Sequence, residues 1–404
     1  MITEPLSWQR TSGGVTAPRG FLAAGVHCGI KQRKRDLALV VSECEATVAG
    51  VFTTNRIKAA PVLWCQEVVR RGVARAVVVN SGNANACTGE RGLRDAREMA
   101  ERTAQALGIP PHQVLVASTG VIGVPLPMEA LRRGIPLAAR SLSRSGEEAA
   151  EAILTTDAFP KTSAVVTTVG GVQVTVGGMA KGAGMIHPRL ATTLCFLTTD
   201  ASVPAPVLQH ALQRAVAESF NRITVDGDTS TNDTVLVLAN GRAGAPPVED
   251  ERDLERFTEA LTVVAQDLAR MVVRDGEGAQ RLVEVVVEGA ADPRDAERAA
   301  FAVATSLLVK TMLHGGEPNW GRVVAAVGYS GAEVEERRVA VWFGDVQVVR
   351  GGVGVEGVFH QAAQALRQPE VRIRVDLGLG PGRARVWTCD LGEEYVRING
   401  SYIT

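Results

Sequence analysis

An α+β protein is what this sequence predicts, and three observations point there. Short apolar runs separated by polar turns recur from Gly25 to about Asn80, apolar side chains at the spacing of one helical face recur at 93–107 and 207–216, and the last runs alternate polar with apolar residues. With 404 residues the chain exceeds one typical domain, so two domains or one elaborated core are expected.

The elements follow in order. Residues 37–42, 49–53 and 76–80 read as strands. Residues 93–107 place Leu93, Ala96, Met99, Ala100, Ala104 and Leu107 on one helical face and stop at Gly108, before Pro110. Ser145 followed by Glu148 has the form of a capping box, predicting a helix that runs to about Leu154. Runs 163–169 and 172–176 meet across Gly170-Gly171 as a hairpin. A lysine-bearing glycine loop then leads through Pro188 to an apolar strand that Thr192 enters just after Ala191. Pro206 opens a helix striped by Val207, Leu208, Ala211, Leu212, Ala215 and Val216, and 233–240 reads as a strand.

A Pro-rich, charged connection precedes the 254–273 helix, so 243–275 is expected to be an insertion between core elements. From Val283 the order is strand, helix 294–313, strands, a short helix 358–366, then 371–376 and 383–387, which alternate as half-solvated antiparallel strands do. A core over 1–280 and a smaller α+β domain over 281–404 are the expected division.

Composition narrows the function class. A net charge of -1 with 22% charged residues argues against a nucleic-acid binder, and 42 glycines beside only 4% aromatics favour an enzyme of tight turns over a stacking platform. Cys28, Cys44, Cys65, Cys87, Cys195 and Cys389 form no C-x-x-C pair and have no histidine at metal-ligand spacing, so they read as free thiols. The first residues carry no signal-peptide pattern and no apolar run reaches the length of a membrane span, which predicts a cytoplasmic protein with no membrane partner.

Four segments could carry chemistry. The loop bearing Lys181, Gly182 and Gly184 leads to Ala191-Thr192 and a buried strand; it fits a glycine turn before a core strand, or a threonine nucleophile whose freed amine is its base. Ser118-Thr119-Gly120 could aim backbone N–H groups at an anion or simply end a strand. Asp226-Gly-Asp-Thr-Ser-Thr-Asn-Asp233 lacks the calcium-loop spacing and reads as a structural polar loop. Glu277 between Gly276 and Gly278 suits an amine site or an exposed turn. A fifth pattern, Gly352-Val-Gly354-Val-Glu-Gly357 with Asp376 beyond it, matches a dinucleotide fingerprint. The alternating strand at Asp376 and the 28 residues left after it argue against that reading.

Together, Lys181-Gly-Ala-Gly-Met-Ile-His-Pro-Arg-Leu-Ala-Thr192-Thr-Leu and Thr199-Asp-Ala201 closely resemble the signature of the ornithine acetyltransferase family of arginine biosynthesis, also called glutamate N-acetyltransferase. Val79-Asn-Ser-Gly-Asn-Ala-Asn85, Ser118-Thr-Gly-Val-Ile-Gly123, Leu154-Thr-Thr-Asp157, the run from Phe220 to Asp233, Gly276-Glu-Gly-Ala279, Pro318-Asn-Trp-Gly-Arg322 and Asn399-Gly-Ser-Tyr-Ile-Thr404 resemble family blocks in family order, so the likeness covers essentially the whole chain. Arg189, Thr193 and Glu317 depart mildly from it.

The resemblance implies a layered α/β/β/α-type core and a precursor that cuts itself between Ala191 and Thr192 into an α chain (1–191) and a β chain (192–404). These are expected to pair as a heterotetramer. It implies Thr192 as nucleophile, Thr119 and Gly120 as oxyanion hole, and Thr155, Lys181, Thr192, Glu277, Asn399 and Thr404 as substrate-binding residues. The implied substrates are N-acetylornithine and glutamate in a ping-pong cycle without cofactor; some members also accept acetyl-CoA as donor. The rival is a self-processed hydrolase or aminopeptidase, in which water resolves the acyl-enzyme. A ligand-binding protein using Gly352 to Gly357 is a third reading, tested by NAD binding.

Overall fold

The structure is a computed structural model and describes residues 7–187 and 193–401. Its first sheet comprises β1 (Trp8–Thr11), β2 (Phe21–Val26), β3 (Leu37–Phe52), β4 (Val73–Asn83), β5 (Val114–Val121), β6 (Lys161–Val169), β7 (Val172–Lys181), β8 (Leu194–Thr199) and β9 (Thr234–Ala239). The order is β1-β6-β7-β8-β9-β3-β4-β5, with β2 also on β3. Six helices accompany it: α1 (Ala60–Arg71), α2 (Gly89–Leu107), α3 (Met128–Arg140), α4 (Glu147–Ala152), α5 (Ala205–Ala217) and α6 (Glu251–Arg274).

The long strand β3 explains the layering. Sequence reading separates it into two runs, because Glu43 and Glu45 interrupt the apolar pattern. The structure joins the runs into one strand with a register shift between Val41 and Ala46. Its first half pairs with β2 and its second with β9. Side-chain alternation then sorts residues between faces. Ala38, Val40, Phe196 and Leu236 meet in a core between the two halves of the sheet. Leu37 and Leu39 point the other way, toward α2 and α3; Cys195, Leu197, Val235 and Val237 point toward α5 and α6. The result is helix, sheet, sheet, helix.

Two expectations for this half need correction. Helix α6, expected within an insertion, buries Phe257, Leu261, Val264, Leu268 and Val272 completely in the core with β6 to β9, because its apolar face spans six turns. The capping box at Ser145 and Glu148 does not form: Gly146 precedes α4, no side chain caps it, and the Ser145 N–H donates to Ser143 Oγ at 3.2 Å.

The second sheet contains β10 (Leu282–Ala290), β11 (Ala340–Phe343), β12 (Val346–Arg350), β13 (Val353–Gly354), β14 (Glu370–Asp376) and β15 (Gly382–Cys389), ordered β13-β12-β11-β14-β10-β15. Helices α7 (Pro293–Thr305), α8 (Leu307–Gly315), α9 (Trp320–Gly328) and α10 (Phe359–Leu366) belong to this region, and α11 (Glu393–Ser401) ends it. The helix expected over 294–313 breaks at Ser306, whose hydroxyl accepts the N–H of Val309 and so caps α8. Strands β14 and β15 alternate as expected, but they are not partners. Both flank β10, β14 parallel and β15 antiparallel. One face buries Val285, Ile373 and Val386, while the other carries the Arg372–Glu284 and Arg374–Glu288 ion pairs.

Candidate active site

A cavity of about 890 Å³ opens beside the ends of β4, β5 and β7, with α11 on its far side. Thr119, Gly120, Thr155, Lys181, Glu277 and Asn399 all line it. Ala191, Thr192 and Thr404, the expected cleavage residues, nucleophile and chain terminus, lie outside the described residues.

Parallel pairing of β4 with β5 sets Ser81 opposite Thr119 and Gly82 opposite Gly120, with an irregularity at Asn83. Gly120 has φ of +131°, and a Cβ there would lie 2.4 Å from the Gly82 carbonyl carbon, so no other residue fits. The Asn232 amide donates to the carbonyls of Ser118 at 2.8 Å and Ala84 at 2.7 Å, fastening the turn. A backbone held from two sides is suited to present N–H groups to a developing oxyanion without moving.

Lys181 ends β7, buried, with its ammonium donating to Thr155 Oγ1 at 2.7 Å and standing 3.6 Å from Asp157. Asp157 also accepts from Lys161 Nζ and from the Gly182 N–H, each at 2.7 Å. Burial alone would raise this carboxyl; the charges of Lys181 and Lys161 win and hold it well below the usual carboxylate range. Lys31 lines the same cavity, its ammonium donating to the carbonyls of Leu154 and Arg35. Burial, with Lys181 nearby, pushes Lys31 down to about 8.

Glu277 faces this cationic side. Its N–H donates to the Ala183 carbonyl at 2.9 Å, and its carboxylate accepts the Asn399 amide at 2.6 Å. The carboxyl fits because residue 184 is glycine: a Cβ there would lie 2.7 Å from it. An anionic group opposite a lysine matches a substrate that carries both a carboxylate and an ammonium.

The polar run from Asp226 to Asp233 does more than turn the chain. Asp226 accepts the N–H groups of Met185 at 2.6 Å and Ile186 at 2.8 Å, and holds Met185 at a φ of +58°. Asp233 accepts the N–H of Thr193 at 2.9 Å. The two aspartates therefore anchor both ends of the segment containing the Ala191–Thr192 bond. Burial raises both carboxyls, Asp233 well above its ordinary value.

The ArgJ family matches residues 22–404 of this chain. An arginine biosynthesis bifunctional protein ArgJ from Symbiobacterium thermophilum is 54% identical over 97% of this chain and 99% of its own. The chain belongs to the ArgJ family. Its counterpart in Geobacter sulfurreducens is 52% identical over 96% of this chain and 99% of its own. The solved ornithine acetyltransferase of Mycobacterium tuberculosis in complex with ornithine is 45% identical, covering 46% of this chain and 100% of that one, with a TM-score of 0.43.

For this ArgJ-family chain, six expected site residues come together around one cavity. Sequence reasoning missed Asp226, Asp233, Asn232, Lys31 and Tyr395. The hydroxyl of Tyr395 reaches Asp226 at 3.4 Å. The available signal was the density of carboxylates and amides in a run with no apolar side chain between Asp226 and Asp233; what it lacked was the partners' identity. No group of side chains among the described residues is arranged to hold a metal ion.

Proposed function

We propose that this chain moves an acetyl group from N-acetylornithine to glutamate through an ester on Thr192. The observation that carries this reading is the gathering of Thr119, Gly120, Thr155, Lys181, Glu277 and Asn399 around one cavity, in a chain whose relatives are ArgJ proteins. Thr119 and Gly120 stabilise the tetrahedral oxyanion as acetyl arrives and leaves. Lys181, with Thr155, receives a substrate carboxylate; Glu277, oriented by Asn399, receives the side-chain ammonium of ornithine. Thr404 completes the substrate contacts.

The precursor is first cut between Ala191 and Thr192, and the released amine accepts the Thr192 hydroxyl proton. The acetyl carbon then passes from the amide nitrogen of N-acetylornithine to Thr192 Oγ1, ornithine leaves, and the glutamate amine takes the acetyl group. Amide becomes ester becomes amide, so the reaction balances without a cofactor. Keeping water from the ester requires substrate to fill the cavity during the acyl-enzyme stage. Acetyl-CoA is a second donor in this reading. The two chains pair again into a heterotetramer, and the enzyme works in the cytoplasm; no helix among the described residues is long and apolar enough to cross a membrane.

Denaturing electrophoresis with intact-mass measurement of wild type beside Thr192→Ala tests the mechanism. Two fragments for wild type and one whole, inactive chain for the variant are expected; a fully active uncut wild type would overturn it. Ornithine release from N-acetylornithine, measured with and without glutamate, tests the transfer. Rapid turnover without any acceptor would sink it in favour of hydrolysis.

A further inference from the structure

Glutamate carries a second carboxylate where ornithine carries an ammonium, and Glu277, which suits the ammonium, repels that carboxylate. An acceptor site for glutamate therefore needs a cation besides Lys181, whose ammonium serves the carboxylate that both substrates share. The other cationic side chains lining the cavity are Lys31, Arg33, Lys34 and Arg397. Arg397 is paired with Glu394, and Arg33 and Lys34 are exposed, whereas Lys31 is half-buried. Its loop is pinned by one carboxylate: Asp36, fully buried, accepts the N–H groups of Cys28 at 2.6 Å, Ile30 at 2.8 Å and Lys31 at 2.9 Å. The aliphatic stem packs on Gly82, where a Cβ would lie 3.3 Å from Lys31 Cγ, and Gly82 stands opposite Gly120. The ammonium donates to the carbonyls of Leu154 at 2.5 Å and Arg35 at 2.9 Å. Leu154 is next in the chain to Thr155, which holds Lys181, and consecutive Cα atoms are about 3.8 Å apart. Two ammonium groups thus stand on neighbouring residues, beside the oxyanion turn. An ammonium has three donors; the third of Lys31 has no partner among the described residues, and no carboxylate among them lies within 4.0 Å of it. Asp36 and Asp157 act on it from farther off. A cation set between neutral carbonyls is suited to receive an anion from the cavity.

We propose that Lys31 receives the side-chain carboxylate of glutamate and so selects the acceptor. This rests on the reading of glutamate as the acceptor. Both substrates react through their α-nitrogen, so their α-carboxylates take the same place, at Lys181 and Thr155. The side chains then diverge, the ornithine ammonium toward Glu277 and the glutamate carboxylate toward Lys31. Two receptors of opposite sign let one cavity serve a cationic and an anionic side chain in alternate half-reactions. Glutamine, the neutral counterpart of glutamate, leaves the Lys31 ammonium without an anion and is rejected on that ground.

Lys31→Met and Lys31→Arg, prepared as full-length enzymes, test this by steady-state kinetics at pH 7, below the value of about 8 to which burial brings Lys31, so that the wild-type ammonium is charged. In a ping-pong cycle each substrate meets its own form of the enzyme, so kcat/KM for each reports one half-reaction. Lys31→Met is expected to lower kcat/KM for glutamate about 10- to 100-fold while leaving that for N-acetylornithine within about 2-fold. Its preference for glutamate over glutamine is expected to collapse. Lys31→Arg, which keeps the charge, is expected to retain most of that preference. A packing role would instead lower both half-reactions together. Equal losses for the two substrates, or an unchanged glutamate-to-glutamine ratio in Lys31→Met, overturns the proposal; should the methionine chain not fold, Lys31→Gln decides. A wild type that passes no acetyl group from N-acetylornithine to glutamate would overturn the function itself, a separate readout.

Discussion

The Asn399 amide donates to the Glu277 carboxylate across 2.6 Å, so the last helix and the turn after α6 form one wall of the cavity. Without that donor the carboxylate is free to swing. Glu277→Gln is expected to raise KM for N-acetylornithine about 10-fold or more, with a smaller effect on glutamate, which has no side-chain ammonium. Asn399→Ala is expected to follow in the same direction but more weakly. Steady-state kinetics with each substrate varied checks both; equal effects on the two substrates would refute the assignment of Glu277.

Gly120→Ala places a methyl against the Gly82 backbone at a φ that side chains rarely adopt. The turn must shift, carrying its N–H groups away from the oxyanion. A fall in kcat of about 100-fold is expected, with KM changed far less. Circular dichroism and thermal unfolding establish that the variant is folded; a near-normal kcat contradicts the oxyanion-hole assignment.

Gly184→Ala acts on the opposite wall. The added methyl meets the Glu277 carboxyl at 2.7 Å and displaces it. The expected signature is a raised KM for N-acetylornithine, with self-cleavage of the precursor still complete. Loss of cleavage alone would place the defect at the wrong step.

Asp157 predicts a pH dependence of stability. Its folded-state pKa is depressed by Lys181 and Lys161 against the effect of burial. The stabilisation it supplies is therefore fully present above its unfolded pKa of about 3.9 and is lost as pH falls through and below that value. Asp157→Asn leaves Lys181 without its carboxylate and Lys161 with Asp275 alone. A loss of about 3–5 kcal/mol at neutral pH is expected. Denaturant unfolding at pH 7 and pH 3 should show the difference between variant and wild type shrinking at the lower pH.

Much of the fold is legible because periodicity reports burial directly. The hairpin of β6 and β7 falls where Gly170-Gly171 places it, with Val169 opposite Val172. The helical faces of α2 and α5 stand largely where the apolar spacing puts them, although Leu93, expected on the buried face of α2, is exposed. The exceptions depend on distant partners. Nothing local says that β10 separates β14 from β15, nor that Ser306 stops one helix and starts another. At the site, Lys181 and Glu277 were readable through family motifs. The work of Asp226 and Asp233 was not, because the N–H groups they hold lie about 40 residues back along the chain.

The sheet order has a consequence for the cut proposed between Ala191 and Thr192. Strands β8 and β9 descend from the 192–404 piece, yet they lie between β7 and β3 of the 1–191 piece and are hydrogen-bonded to both. A cut at the proposed Ala191–Thr192 bond would therefore leave two chains interleaved within a single sheet. Such halves could part only by unzipping a strand ladder on each side, so each would stay with the partner it was synthesised with, and a folded enzyme cut there would not trade halves with another copy.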